Sequence, residues 1–526
     1  MYWMLLINVL CVVVIKLFMK KNIISISIIT MLLAGCKDLD TINYNNPDRQ
    51  SVLAAGADLA PVLQGGYIAW WQGVHGPHPV IALSVAADAY SLPWDNFGAQ
   101  RFGMEPRSAY NNQLSETLDY KQIALAPWFG CLSAVSSAND VLAALEEGIT
   151  IDNEGPQDAI VRAAAHLLRG LSWGYIGLVF DQGLLADENT NVTGELPFSD
   201  YPAMITAAVA ELDAAIAIAE AVGSDFVHNY FNGVPLNADR FVRLCHAYAA
   251  RLLAQMPRTE AENVQVDWQQ VLMHAERGLN FDFAPMADGR FWTSYQQYAF
   301  AETGQGPFWA RLDQRLVQAF DPAQPARYPE VSKGEAPLTN RMATSNDRRL
   351  STDFIFLPFN TFPVERGEWH FSHYQHNRNI SQEGFAGNGS SGGPMPVFLQ
   401  ADCDLLRAEA LARLSRKNEA ISVLNAGTRV TRGNLPPLNT TVNDATLLRA
   451  IRYERALELL GTAPMSLWFD RRRAGRRLDF TELDDLGGLQ KGTPAHLPVP
   501  ADELTVQRLN LYTFGGAPDP EGINPH

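Results

Sequence analysis

Residues 402–431, DCDLLRAEALARLSRKNEAISVLNAGTRVT, decide the fold class of this chain. Their apolar residues recur at helical spacing, which predicts helices over Asp402–Leu414 and Asn418–Thr431. The connection between these helices is short, and a short connection forces two helices to lie antiparallel against each other. A further helix is predicted over Asn443–Leu460. The C-terminal region is therefore predicted to consist of packed helix pairs.

The same periodicity is present upstream, where apolar stripes predict helices that begin at Pro156, cover 205–219, run from Asn237 to a stop at Pro257, and cover Trp268–Leu279. Between the two helical regions, Asp282–Pro396 is rich in Gly and Pro and has no lasting helical period. Its best strand predictions are Phe354–Leu357 and Trp369–Tyr374. The predicted fold is mainly α. Helix pairs over 156–280 and 402–475 form a scaffold, and a loop-rich insertion over 282–400 contains a few short strands.

Composition limits the classes of function. The 526 residues are 47% hydrophobic and 19% charged, so the chain is able to build a large core and is not intrinsically disordered. The formal net charge is −16. Since no overall positive field exists to attract a phosphate backbone, nucleic acid is not an expected partner.

The N-terminal region predicts export and lipid anchoring. Met19-Lys20-Lys21 precedes a short apolar run that ends in Leu33-Ala34-Gly35-Cys36, and this ending resembles the lipobox of bacterial lipoproteins. The alternative is an ordinary core cysteine after an apolar run. The first interpretation divides the chain into an over-extended start (1–18), a signal peptide (19–35), a tether that is acylated, for example with palmitate, at Cys36 (36–50), and one domain (51–526). Several acyl chains on one Cys make a stable membrane anchor.

Motifs in the C-terminal third resemble the SusD/RagB family. The Ala-Glu-Ala helix at 405–413, the Glu-Arg-x-x-Glu pattern at 454–458, the run Leu467-Trp468-Phe469-Asp470-Arg471 and the closing segment Leu497-Pro498-Val499-Pro500 follow one another in the family's order. Arg162–Gly183 also resembles a family helix, although its end, Phe180-Asp181-Gln182-Gly183, lacks the family's Tyr-Gly-x-x-Pro string. The resemblance implies tetratricopeptide-like helix pairs, although no fixed period of about 34 residues recurs.

The resemblance also implies a function. Family members are lipoproteins of the cell outer membrane that bind an oligosaccharide or peptide nutrient and cap a TonB-dependent outer-membrane transporter as a hinged lid. We therefore expect a surface-exposed, non-enzymatic binding protein for nutrient uptake, without a cofactor. The alternative is a surface-anchored glycan hydrolase or lyase that uses loop carboxylates such as Asp88 and Asp95.

Aromatic residues among Gly and Pro predict the ligand site, because sugars stack their C–H faces on flat rings. We expect the loop around Trp94 to form a binding surface with Trp292 and Tyr295. Asp95 and Asn96 supply hydrogen bonds to hydroxyl groups, and Trp71 and Trp309 are further candidate rings. The alternative is that half or more of these rings are core residues, because large aromatic side chains are mostly buried.

Other clusters have structural alternatives. His370, His373 and His376 in WHFSHYQHN are predicted to lie on a solvated strand face, with polar lining of a binding loop or a metal site as alternatives. The arginines at 471–473 and 476–477 are predicted to form a solvated helix end, with lipid or partner carboxylates as alternatives. Glu409 and Arg413 are predicted to pair on a helix surface, and Glu454 and Glu458 are expected to be structural. The Gly-rich loop at 387–393 is followed by Pro394 rather than by a helix, so it is not a nucleotide or nucleophile motif. No metal site is predicted.

Overall fold

The computed structural model describes residues 53, 55–92, 95–191, 196–293, 310–327, 342–357, 370–378, 393–475, 477–479 and 486–526. The first helices are α1 (Leu59–His75), α2 (Pro77–Ala86), α3 (Gln100–Gly103), α4 (Leu118–Glu146), α5 (Pro156–Val179), α6 (Tyr201–Val222), α7 (Ala238–Gln255), α8 (Glu260–Val264) and α9 (Trp268–Glu276). They continue with α10 (Gln314–Phe320), α11 (Arg349–Thr352), α12 (Gln400–Arg413), α13 (Lys417–Ala426), α14 (Thr428–Thr431), α15 (Asp444–Glu458), α16 (Ser466–Ala474) and α17 (Ala501–Val506). The fold is mainly α, as the sequence predicts.

Local sequence sets the helix starts. The side chains of Thr117, Asp200, Asn237 and Asn443 accept hydrogen bonds from backbone N–H groups in the first turns of α4, α6, α7 and α15. These contacts satisfy donors that have no partner inside a helix. Pro156 begins α5, where its fixed φ and missing N–H are tolerated.

The predicted helix pair at 402–431 is confirmed, with one difference. α12 and α13 pack against each other, but the second predicted helix is divided into α13 and α14. Gly427 lies between them with φ −87° and ψ −159°. This extended backbone ends the i to i−4 hydrogen-bond series, which the apolar spacing did not reveal.

Helix pairs form the scaffold from Leu59 onward. α1 packs on α4, α4 on α5, α5 on α6, and α6 on α7. α4 is long and apolar enough to cross a bilayer, yet more than half of its most apolar window is buried between these neighbours. A Cβ atom added to Gly73 of α1 would lie 2.9 Å from the carbonyl oxygen of Ala126, and one added to Gly130 of α4 would lie 2.8 Å from the Gly73 Cα. Glycine at both positions permits this close approach of α1 and α4.

Short strands connect distant segments. In the described part of the chain they form two-stranded antiparallel sheets. The pairs are β1 (Tyr90–Ser91) with β6 (Arg311–Leu312), β2 (Gln182–Gly183) with β3 (Ser199–Asp200), β4 (Val227–His228) with β5 (Leu236–Asn237), and β7 (Phe354–Phe356) with β8 (Tyr374–His376). Phe354 pairs with His376, and Phe356 pairs with Tyr374. The first predicted strand of the insertion is confirmed, and the second lies closer to the C-terminus than predicted.

Two hydrophobic clusters hold the helices. The larger one includes Trp70, Trp128 and Trp468, and the smaller one lies among α9, α12, α13 and α15. Cys245 and Cys403 are buried free thiols and belong to the core.

The prediction of a solvated arginine cluster is wrong, because Arg471, Arg472 and Arg473 are all at most 2% exposed. Arg472 donates to the backbone carbonyl oxygens of Leu178, Ala495 and Gln255. These bonds satisfy a buried guanidinium with backbone acceptors from three distant segments. Arg476 lies outside the described residues.

The prediction that Glu409 and Arg413 pair on an exposed helix surface is also wrong. Glu409 is buried, and Arg413 reaches it only at 3.5 Å. The principal partner of Glu409 is Arg473, at 2.8 Å. The i, i+4 spacing predicted a neighbour but not the stronger bond from another helix.

Candidate functional site

A groove of about 710 Å³ lies between the C-terminal helices and the insertion. Its lining residues come from α12, the end of α13, α14 and two glutamates of α15, together with Arg348, the end of α11 and Arg378. This volume falls within the range of small-molecule pockets in proteins.

Glu458 of α15 joins two arginines of the groove lining. Its Oε1 atom accepts a hydrogen bond from Arg378 Nη2 at 2.7 Å and lies 3.4 Å from Arg432 Nε. Arg378 also donates to the backbone carbonyl of Glu458. Arg432 Nη2 in turn donates to Asp353 Oδ1 at 2.7 Å. Arg378 and Arg432 are therefore already engaged by carboxylates.

A second, buried ion network is joined to this cluster through Glu458. Arg349 donates to Asp347 Oδ2 at 2.7 Å and to Glu454 Oε2 at 2.8 Å, and its Nη1 lies 3.3 Å from Glu458. The hydroxyl of Tyr453 donates to Asp347 at 2.9 Å. Burial raises the pKa of Glu454 above its usual value even though Arg349 opposes the shift. Glu454 and Glu458 thus serve as structural counter-ions, as expected.

Two further carboxylates of the lining, Asp282 and Asp404, lie near the start of α12. Asp282 Oδ1 accepts from the backbone N–H of Gln400 at 2.9 Å. Asp404 lies one turn further along α12, where the Gln400 side chain donates to it and Arg407 lies 3.4 Å away. Burial raises the pKa of Asp404, and Arg407 and Gln400 offset this only in part. This carboxylate is incompletely compensated.

Sequence reasoning missed most of the groove. Arg348, Arg378 and Arg432 come from segments without a regular period, and they meet only in the folded chain. The available signal was the i, i+4 pair Glu454 and Glu458, since two carboxylates on one face of a buried helix require cationic partners.

The structure buries two of the predicted ligand rings. Trp71 is fully buried and Trp292 is 3% exposed, and their ring centroids lie 4.8 Å apart. Trp71 also stacks on His75 at 3.9 Å and donates from Nε1 to the carbonyl of Thr293 at 2.8 Å. The expectation that these rings are open to ligand is wrong, because they pack on each other in the core.

Asp95 and Asn96 remain accessible. Asp95 is exposed, and Arg101 Nε lies 4.0 Å from its Oδ2. Asn96 is half-buried and begins a short 3₁₀ helix that includes Phe97, whose ring contacts His78 at 5.2 Å. Trp94, Tyr295 and Trp309 lie outside the described residues, so their ligand roles stay predictions.

The three histidines of the insertion are buried, so the prediction of a solvated strand face is wrong. His370 Nε2 contacts the carboxylate of Glu105, His373 Nδ1 lies 2.9 Å from the carbonyl oxygen of Leu357, and His376 Nδ1 lies 2.9 Å from the hydroxyl of Tyr90. Within the described ranges, no group of His, Cys, Asp and Glu has the arrangement of a metal site. The Gly-rich loop at 387–393 lies outside those ranges except for Gly393.

Comparison with known proteins points to one family. Residues 282–496, which contribute all the described lining residues of the groove, match the model of the SusD family. This part of the chain is similar to the SusD family. Comparison with curated protein sequences finds no significant match.

Solved structures of SusD-like proteins have the same fold as this chain. A SusD homologue from Bacteroides thetaiotaomicron has a TM-score of 0.60 and 14% identity, and the likeness covers 87% of this chain and 98% of that chain. Surface glycan-binding protein A from Bacteroides uniformis has a TM-score of 0.58 and 14% identity, covering 86% and 98%. A structure with xylogluco-oligosaccharide has a TM-score of 0.52 and 14% identity, covering 78% and 82%. The tetratricopeptide-like helix pairs are therefore those of the SusD fold.

Proposed function

We propose that this SusD-like chain is a lipid-anchored surface protein that binds an oligosaccharide and delivers it, as a hinged lid, to a TonB-dependent outer-membrane transporter. The observation that carries the proposal is the family match over 282–496 within a fold that resembles surface glycan-binding protein A along 86% of this chain. The lipobox-like sequence ending at Cys36 supports the anchor.

The burial and the ion pairs of Asp88 favour a binding role over hydrolysis. This carboxylate is 1% exposed, and its two oxygens lie 2.5 Å from Arg107 Nη2 and 2.5 Å from Arg315 Nη1. Burial alone would raise the pKa of Asp88, but Arg315 and Arg107 outweigh it and lower the pKa to about 2. A general acid needs a pKa near the working pH and access to substrate. Asp88 has neither property.

The exposed segment that begins at Asp95 is the described part of the proposed glycan surface. Asp95 and Asn96 offer hydrogen-bonding groups at the protein surface, and the half-buried Phe97 ring lies beside them. Trp94, next to them in sequence, remains the predicted stacking ring. Binding through stacking and hydrogen bonds requires no covalent step.

Calorimetric titration with xylogluco-oligosaccharide and a panel of neutral and acidic oligosaccharides tests the proposal. We expect one class to bind, and Trp94→Ala and Asp95→Ala to weaken binding at least about tenfold without lowering the thermal midpoint. Glu419→Gln, which changes an exposed carboxylate of α13 outside the proposed contacts, is the control. Sustained product release at catalytic protein levels would instead establish the hydrolase alternative, and failure of every oligosaccharide to bind would contradict the proposal.

A further inference from the structure

A buried pair of histidines joins α7 to α9. The Nδ1 atoms of His246 in α7 and His274 in α9 lie 2.9 Å apart, and the two residues are 4% and 0% exposed. Their ring centroids are 5.1 Å apart. This exceeds the N–N distance by about one ring radius on each side, so both nitrogen atoms lie near the line between the rings. That is the geometry of an N–H···N hydrogen bond, whereas a shared metal ion would need both lone pairs to point at a third position.

The hydrogen-bond partners indicate which nitrogen carries each proton. A bond between two Nδ1 atoms requires one neutral ring with its proton on Nδ1 and one with its proton on Nε2. His274 Nε2 is buried and has no hydrogen-bond partner among the described residues. A buried N–H group without an acceptor is rare and costly. His274 is therefore the donor from Nδ1, and His246 accepts at Nδ1 and carries its own proton on Nε2.

The surroundings oppose a positive charge on this pair. Burial, His274, Arg277 and Arg243 together lower the pKa of His246 from 6.5 to about 4. Burial lowers the pKa of His274 as well, against the attraction of Asp213 in α6 and with the help of Arg277. Charged groups from α6, from α7 and from the residue that follows α9 thus act on the pair. At neutral pH both rings are uncharged.

The same part of α7 holds the root of the insertion. Arg243, one turn before His246, donates from Nη1 to the carbonyl oxygen of Gly278 at 3.3 Å. Arg240, a further turn back, places its guanidinium carbon 4.0 Å from the ring centroid of Phe281. These two contacts and the histidine pair form one row along α7, which we call the α7 seam. The seam ends one residue before the insertion at 282–400.

We propose that the histidine pair is a pH-sensitive contact of the α7 seam, closed by its N–H···N bond at neutral pH and released when the pair takes up a proton. The added proton has two places to go. On His246 Nδ1 it removes the acceptor of the bond, and on His274 Nε2 it is buried without an acceptor. In both positions its charge repels Arg243 and Arg277, so the root of the insertion loosens.

The direction of the pH dependence follows from linkage. An opened seam exposes the imidazoles to water, where they bind protons more readily than in the closed seam. The contribution of the pair is therefore fully present above about pH 6.5 and declines as the pH falls toward 4.

Nitrogen NMR of the full chain with ¹⁵N-labelled histidine tests the bond itself. At pH 7 we expect His274 to be protonated on Nδ1 and His246 on Nε2, with a scalar coupling across the hydrogen bond between the two Nδ1 atoms. His246→Gln and His274→Phe identify their signals among the 11 histidines. Absence of the coupling, or two protonated nitrogen atoms on either ring at pH 7, would overturn the proposal.

Hydrogen exchange measures the opening of the seam. The backbone N–H of Leu279 lies within it and donates to Cys403 Sγ at 3.3 Å. After correction for the intrinsic pH dependence of exchange, we expect protection of this amide to fall at least about tenfold between pH 7 and pH 5. A double variant, His246→Phe with His274→Phe, keeps two packed rings that do not titrate, so its Leu279 protection is expected to stay constant over this range.

His166→Gln is the matched control. His166 contacts Glu211 at 2.8 Å outside the seam, so this variant is expected to keep the native pH dependence at Leu279. Constant protection of Leu279 in the native chain, or the same decline in the double variant, would overturn the proposal. Thermal midpoints show whether the double variant is folded, and the NMR coupling decides the proposal if it is not.

Discussion

Arg473 of α16 forms a bidentate ion pair with Glu409 of α12, with Nη1–Oε1 and Nη2–Oε2 distances of 2.8 Å each. Arg473 also donates to Asp470 Oδ1 at 2.9 Å. Both side chains of the pair are buried, and 64 residues of sequence separate them. The Ala-Glu-Ala motif therefore fastens the tetratricopeptide-like helices to the C-terminal segment.

Breaking this pair is expected to be costly. Arg473→Ala leaves Glu409 buried without its main counter-ion, so we expect the free energy of unfolding to fall by about 3–5 kcal/mol, measured by urea denaturation. Arg416→Ala is the control, because its pair with Glu419 is solvent-exposed and its loss is expected to change stability little. A similar small effect for both variants would contradict the buried-pair interpretation.

The same pair predicts an acid dependence. Burial alone would raise the pKa of Glu409, but Arg473 outweighs it and lowers the pKa from 4.5 to about 2. The stabilisation is therefore fully present above about pH 4.5 and is lost as the pH falls toward 2. In urea denaturation, Glu409→Gln is expected to remove this part of the acid dependence. If the free energy of unfolding of Glu409→Gln falls between pH 4.5 and 2 as steeply as that of the native chain, the prediction is wrong.

Trp292→Ala separates a core ring from a ligand ring. Trp292 is 3% exposed and packs on Trp71, so we expect its removal to lower the free energy of unfolding by about 3–5 kcal/mol. Phe291→Ala is the neighbouring control, since Phe291 is 38% exposed, and we expect a loss below about 1 kcal/mol. If Trp292→Ala instead keeps its thermal midpoint and weakens oligosaccharide binding, the ring belongs to the ligand surface after all.

Asp181 predicts an opposite pH dependence. Burial raises its pKa from 3.8 to about 6, although the hydroxyl of Tyr512 donates to both carboxylate oxygens at 2.9 Å. The folded chain thus keeps a proton that the unfolded chain releases. Its contribution to stability is present below pH 3.8 and declines as the pH rises through about 6, by on the order of 2–3 kcal/mol.

Denaturation at pH 4 and pH 7 measures this effect. We compare the free energies of unfolding of Asp181→Asn and the native chain at each pH. The difference is expected to be more favourable to the variant at pH 7 than at pH 4. Tyr512→Phe removes the hydrogen bond that lowers the Asp181 pKa, so it is expected to steepen the decline. Identical pH profiles for all three proteins would show that Asp181 titrates normally.

The lipid anchor is tested by Cys36→Ala. We expect this variant to be released from membranes into the periplasm, because no thiol remains to be acylated. Fractionation after a carbonate wash measures the distribution. Removal of residues 1–18 is expected to leave export unchanged. Retention of Cys36→Ala on membranes would identify the upstream apolar segment as the anchor, and loss of export after the truncation would show that Met19 is not the start.

Sequence reasoning was strongest where the signal is local. Apolar spacing and the prolines at 156 and 257 predicted the helices of both scaffold regions and the pairing of α12 with α13. The ordered C-terminal motifs predicted the SusD resemblance that the match over 282–496 confirms. The residues of the ligand site were predicted less well. Trp71 and Trp292 lie in segments whose aromatic, Gly and Pro residues predicted a glycan-binding surface. Only tertiary packing decides whether such a ring is exposed to solvent or packs on another ring.

The helix periodicity, the lipobox-like segment and the family motifs were determined by the sequence itself, since each depends on residues within a few turns of one another. Tertiary structure decided which partners the charged side chains have. Arg471–Arg473 had the pattern of a solvated helix end, yet in the fold buried carboxylates and carbonyl oxygens surround them. Likewise, Arg378 meets Glu458 across 80 residues of sequence, and both residues line the groove. Long charged side chains take partners from any segment that folding brings within about 4 Å, and no local pattern specifies which segment that is.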